Sequence, residues 1–168
     1  FIGASPNMKV VPDKVIPTYN NYFLGNDPSR WASDCRIFQA ITLENVYDNV
    51  DVRYYTYNGM LKYDIIAKPG ADISKIALKY GGVDKLQVKN KELVLNTSVG
   101  ELRESFPYTY QSSFKERKEI NCKYVVKDNI VRFQVRDYDP TATLVIDPTL
   151  MFCSFAGSSA DNWGFTAT

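Results

Sequence analysis

Alternation is the feature that most constrains this chain. Val50-Asp51-Val52-Arg53-Tyr54 and Leu61-Lys62-Tyr63-Asp64-Ile65 each place apolar and polar side chains on opposite sides of an extended backbone, and Asn58-Gly59 lies between them. That dipeptide accepts the positive φ of a tight primed turn, so the stretch predicts a β-hairpin with one wet face. The pattern continues with Ile76-Ala77-Leu78-Lys79-Tyr80, closed by Gly81-Gly82, and with Leu86-Gln87-Val88 and Leu93-Val94-Leu95 around Lys89-Asn90-Lys91-Glu92. Gly100-Glu101-Leu102-Arg103 leads to Pro107-Tyr108-Thr109-Tyr110-Gln111, and the runs 122–126 and 131–135 flank Lys127-Asp128-Asn129. Leu144-Val145-Ile146 ends at Asp147-Pro148, where proline withdraws a ladder donor. Helical signals are confined to single turns at Asp72–Ile76, with Asp72 as N-cap, and at Ser29–Ser33. Many short strands with regular turns predict an all-β, antiparallel β-sandwich.

With 45% hydrophobic and 23% charged residues, the 168-residue chain has the composition of a folded domain. Twenty Lys and Arg against nineteen Asp and Glu leave a net charge of +1, without the basic excess that a nucleic-acid partner calls for. Nor does any apolar run approach the ~20 residues of a membrane span. Twelve Tyr and nine Phe suit pleated, half-buried surfaces. Core packing is their ordinary use, and a recognition surface is the second.

The chain has no histidine, which removes the Ser-His-Asp triad, the Cys-His dyad and every His-based metal site. Carboxylate pairs are the remaining route to hydrolysis. Asp48 with Asp51, or Asp137 with Asp139, could serve, although such acids ordinarily bracket turns. Asp64, inside an aromatic strand, is less easily assigned to a turn. Asp137, Asp139 and Asp161-Asn162 offer hard oxygens for calcium, without the spacing of a calcium loop. Trp31 and Trp163 could stack on sugar rings, and burial is the more ordinary reading of both. Cys35, Cys122 and Cys153 match no zinc spacing. One disulfide, such as Cys35 to Cys122, is open to them in an oxidising compartment.

Several motifs stand in a familiar order. Phe1-Ile2-Gly3-Ala4, Asn21-Tyr22-Phe23-Leu24-Gly25-Asn26-Asp27 followed by Trp31, and Val46–Tyr55 come first. Tyr63-Asp64-Ile65-Ile66-Ala67-Lys68-Pro69-Gly70-Ala71-Asp72 and Leu144-Val145-Ile146-Asp147-Pro148 follow. Together they resemble the N-terminal module of SBBP-repeat proteins, large surface or secreted proteins common in the Bacteroidota. Ser154-Phe155-Ala156-Gly157-Ser158-Ser159-Ala160-Asp161 resembles the start of the first repeat, with Phe-Ala-Gly-Ser where Tyr-Leu-Gly-Gly is typical.

The resemblance implies a β-sandwich module over 1–148 and the start of a β-propeller repeat over 149–168. It implies export, as for type IX secretion substrates, and placement outside the cell. It also implies a chain that begins inside a longer one. The expected role is non-enzymatic, structural or adhesive, without a cofactor. Expected partners are other domains of the same chain and the secretion or anchoring machinery. A carbohydrate-binding module is the alternative.

Overall fold

The computed structural model describes residues 1–112 and 116–153. The alternating runs become strands with the turns where the punctuation lies. β1 (Lys9–Tyr22) and β2 (Ala32–Tyr47) are joined through a 3-10 turn at Pro28–Arg30. β3 (Val50–Tyr57) and β4 (Met60–Ala67) form the hairpin over Asn58-Gly59. A second 3-10 turn, Ile73–Lys75, precedes β5 (Ala77–Lys79), β6 (Lys85–Lys89), β7 (Glu92–Thr97) and β8 (Gly100–Glu104). The remaining strands are β9 (Tyr108–Ser112), β10 (Arg117–Glu119), β11 (Asn121–Lys127), β12 (Ile130–Arg136), β13 (Leu144–Asp147) and β14 (Leu150–Cys153).

Local chemistry explains these boundaries. Asn58 and Gly59 sit at φ 50° and 74°, the left-handed pair that a two-residue hairpin needs. A methyl group added to Gly59 would meet no atom within 4 Å, so alanine there is penalised only through its backbone. Gly59→Ala is therefore expected to cost about 1–2 kcal/mol in chemical unfolding. An unchanged midpoint would show that the turn tolerates another geometry. Asp72 caps the second 3-10 turn as predicted, accepting from Ser74 N at 3.0 Å and Ser74 Oγ at 2.6 Å. Asp27 caps the first one through Ser29 in the same way.

Among the described residues the strands form three antiparallel sheets rather than the two of a simple sandwich. The large sheet runs β1-β2-β3-β4-β13-β9-β10, and the smaller ones run β11-β12-β5 and β14-β8-β7-β6. The division begins after β5, where Gly82 at φ 72° redirects the chain and sends β6 into a different sheet. All three contribute to one apolar core: Val52, Ile65 and Ile146 from the large sheet, Leu78 and Val131 from the second, Leu93 and Leu95 from the third. The all-β, antiparallel expectation therefore holds at the level of packed sheets.

β13 ends at Asp147, as Asp147-Pro148 predicts, and the chain then crosses between sheets. Ser105 N donates to Thr149 O, and Thr149 N donates to Ser105 Oγ, each at 2.9 Å. β14 next pairs with β8 along the register Leu150↔Glu104 to Cys153↔Glu101. The first residues of the segment 149–168, expected to open a propeller repeat, thus form a strand that completes the third sheet. The rest of that segment, including the repeat-like motif from Ser154, lies outside the described residues.

β1 and the first half of β2 have no counterpart in the predicted strands. They form a long ribbon at the edge of the large sheet, with Val10, Val15, Tyr19, Tyr22, Phe23 and Leu24 exposed. Pro12 and Pro17 lie in β1, where an edge strand tolerates the missing donors and is blunted against further pairing. Register shifts fall between Val15 and Tyr19 and between Asn20 and Tyr22. Lys14 and Asp34 adopt φ 56° and 55°, so the ribbon twists away from the flat continuation of the sheet. Among the described residues, no helix is long and apolar enough to cross a membrane.

Candidate functional site

Strand register sorts the large sheet into two faces. Val52, Ile65, Tyr63 and Ile146 point to the core. Their neighbours Arg53, Tyr55, Lys62, Asp64, Tyr110 and Asp147 form the opposite face. That outward face is an interlocked strip of rings and charges. Tyr55 donates its hydroxyl to Asp64 Oδ1 at 3.1 Å. Lys62 lies 5.9 Å from the Tyr55 ring centre and pairs with Asp147 Oδ1 at 2.7 Å, a buried oxygen with no other partner among the described residues. Arg53 pairs with Asp13 of the ribbon at 2.7 Å. At the far end Arg117 stacks 3.9 Å over Tyr110, which packs against Tyr108 with ring centres 5.7 Å apart.

The strip is partly desolvated. Burial raises the Asp64 carboxyl above its usual range, and the nearby Asp147 charge adds to this against the pull of Tyr55, Lys62 and Arg53. Burial first, then the Asp64 charge, raises the Tyr55 phenol. Where the strip meets the ribbon it opens into a cleft of about 310 Å³, whose lining includes Lys14, Gln39, Arg53, Tyr55, Tyr57 and Asp64. Tyr57 is 59% exposed. Asp64 is thus neither a turn residue nor simply solvated: it is the acceptor at the centre of this face.

A second polar constellation is centred on a buried carboxylate. Glu104 is only 2% exposed, yet it accepts from Tyr63 at 2.8 Å and from Tyr80 at 2.5 Å, with Tyr124 at 3.4 Å. Tyr124 also donates to Ser105 O at 2.9 Å. The participants come from the large sheet (Tyr63), the second sheet or its margin (Tyr124, Tyr80) and the third (Glu104), so one carboxylate ties all three together. Burial raises the Glu104 carboxyl, and the three phenols oppose that rise. With every donor engaged around a buried carboxylate, the cluster serves the fold. Sequence reasoning does not single out Glu104, although it lies two residues from Leu102 and so shares its face. A glutamate in phase with core positions is the signal that points to it.

A groove of about 760 Å³ includes Val88, Lys91, Phe106, Cys122 and Tyr124 in its lining. Its thiol is not poised for attack, because burial pushes Cys122 up. Cys122 and Cys35 are both free, so the Cys35–Cys122 disulfide open on sequence grounds does not form. Cys35 sits on the ribbon strand β2 and Cys122 on β11, in different sheets.

The remaining predicted residues are dispersed. Asp51 is 7% exposed, pairs with Lys68 at 2.7 Å and accepts from Asn45 N at 2.9 Å, while Asp48 is exposed at a turn; the two form no hydrolytic pair. Asp139 is committed to Thr141 N and Oγ1 at 2.8 and 2.7 Å, and Asp137 is exposed. Among the described residues no three Cys, Asp or Glu converge as metal ligands, and Asp161-Asn162 lies outside them. Trp31 is 43% exposed near the far end of the ribbon rather than buried. It packs edge-on to Phe23 at 5.5 Å and donates Nε1 to Gly25 O at 3.1 Å. Trp163 lies outside the described residues.

Fold and surface together define a small all-β domain of packed antiparallel sheets, without a recognisable reaction centre among the described residues. Residues 1–149 match the family described as a domain of unknown function, DUF7948, and the chain belongs to that family. No curated protein and no solved structure matches it.

Proposed function

We propose that this chain is a non-enzymatic assembly module of a large secreted or cell-surface protein, with the β1–β2 ribbon as its docking element. The observation that carries this reading is the ribbon's exposed apolar set, with Phe23 at 64%, Tyr19 at 58% and Trp31 at 43%. An exposed apolar patch of this kind is ordinarily covered by a partner. The occupant in this reading is the following part of the same chain, where the sequence after Ser154 resembles the start of a repeat array. A ribbon laid over that array would shield its first unpaired edge, the place where β proteins are most prone to associate. The same resemblance supplies the proposed placement outside the cell, in a protein of the Bacteroidota type.

Hydrogen exchange on the 168-residue chain and on a longer form carrying the repeats tests this. Amides of residues 9–38 are expected to exchange quickly in the short form and at least tenfold more slowly in the long one, as a buried ladder does. Equal exchange in both forms removes the proposal. A concentration-dependent slowing in the short form alone would make a second copy the occupant instead.

A further inference from the structure

We propose that the cleft between the ribbon and the outward face of β3–β4 binds a short stretch of a neutral glycan, with a sugar ring against Tyr57 and its hydroxyls on Asp64 and Arg53. The inference goes beyond the assembly reading and does not depend on it, since it uses the base of the ribbon and not its apolar end.

Several observations point to this ligand class. The cleft holds about 310 Å³, at the lower end of the ~300–1,000 Å³ typical of small-molecule sites. Its walls combine an exposed ring, Tyr57, with the half-buried Tyr55. Such rings present flat apolar faces to the C–H side of a sugar without demanding a wholly apolar ligand. Its polar groups are of both kinds. Lys14 and Gln39 bring donors, Gln39 also has a carbonyl acceptor, and Asp64 is an acceptor when ionised. A vicinal diol needs this mixture, because each hydroxyl both donates and accepts.

The supporting contacts fix these groups before any ligand arrives. Tyr55 holds Asp64 through Oδ1, which leaves Oδ2 for an incoming hydroxyl. Asp13 holds Arg53 through one terminal nitrogen, leaving its other N–H groups to donate. Lys14 sits at φ 56° in β1, an irregularity of the kind that re-aims a side chain at a site. Charge decides between ligands. Lys14 and Arg53 face Asp13 and Asp64, so the cleft offers no net field to gather a polyanion, and its walls lack the apolar pocket that would anchor a peptide side chain. Tyr110 is not part of the platform, because Arg117 already covers its ring.

Affinity electrophoresis of the chain tests the assignment, using gels containing neutral polysaccharides (xyloglucan, mixed-linkage β-glucan, galactomannan, dextran) and acidic ones (alginate, chondroitin sulfate). Retardation by at least one neutral polymer is expected. Tyr57→Ala and Asp64→Asn are each expected to weaken it about tenfold, the loss usual for a central contact. Trp31→Ala, placed on the ribbon away from the cleft, is expected to leave retardation unchanged. Circular dichroism verifies that the variants fold; should Asp64→Asn not fold, Tyr57→Ala decides, since its side chain lies largely outside the core. No retardation by any neutral polymer overturns the proposal. So does retardation by acidic polymers only, or neutral binding that Tyr57→Ala leaves intact.

Discussion

Replacing Glu104 by alanine is expected to cost about 2–4 kcal/mol of folding stability, read as a lowered urea midpoint at neutral pH. Two opposing effects set that figure. The Tyr63 and Tyr80 hydroxyls lose the charged acceptor they share, whereas Tyr124 keeps Ser105 O. Against this, removing a desolvated carboxylate relieves part of its burial penalty. Glutamine separates the two effects, because its carbonyl accepts from one phenol and its amide can donate to another. The Glu104 carboxyl is raised in the fold, first by burial. Its contribution is therefore complete below the unfolded glutamate value of 4.5 and is lost as pH rises through the higher folded value. The stability of Glu104→Gln relative to the native chain should thus improve from pH 4 to pH 8. A gap that stays constant over that range, or an alanine variant as stable as the native chain, removes Glu104 from its place in the fold.

Above pH 10 the chain is expected to unfold cooperatively, with most tyrosinate absorbance appearing in the same transition as the loss of β-sheet signal. Tyr63, Tyr80 and Tyr124 are all raised above the ordinary phenol value of 10.0, each first by burial and next by the Glu104 charge. Tyr54 follows for the same reasons, and Tyr47 by burial alone against opposing contacts. A raised folded value means that stability is whole below pH 10 and falls above it, because the unfolded chain releases these protons first. Each tenfold difference in proton affinity between the folded and unfolded chain is worth about 1.4 kcal/mol, so several buried phenols together outweigh the margin of an ordinary domain. Gradual ionisation of all twelve tyrosines around pH 10, with the sheets intact, would contradict the buried arrangement.

Much of the fold was legible because local chemistry and tertiary structure agree over the hairpins. Asn58-Gly59, Asn90-Lys91 and Asp128-Asn129 all sit at positive φ between strands whose alternation is plain in the sequence. Asp72 and Asp147-Pro148 end or begin elements as their side chains dictate. The ribbon strand β1 was hidden by its two prolines, which argue against a strand unless its edge position is known. Local pattern also could not show that the chain builds three sheets, since partner choice depends on distant residues. The site is a similar case. Asp64 stood out as an acid in an aromatic strand, but Arg53, Lys14 and Tyr57 joined it only through the β1-β2-β3-β4 pairing. Trp31 drew notice for its residue type and lies elsewhere.

β13 places a demand on how the chain is made. It sits between β4 and β9, pairing Ile146 with both Ile65 and Thr109, yet it is synthesised after both of them. A chain delivered from its N-terminus holds the β1–β4 meander and the β9–β10 pair as separate halves, each with an open border, until residues 144–147 arrive. Such late closure through distant partners makes for slow folding. A holding chaperone or an export route that keeps the chain extended until Asp147 has emerged would protect that exposed intermediate.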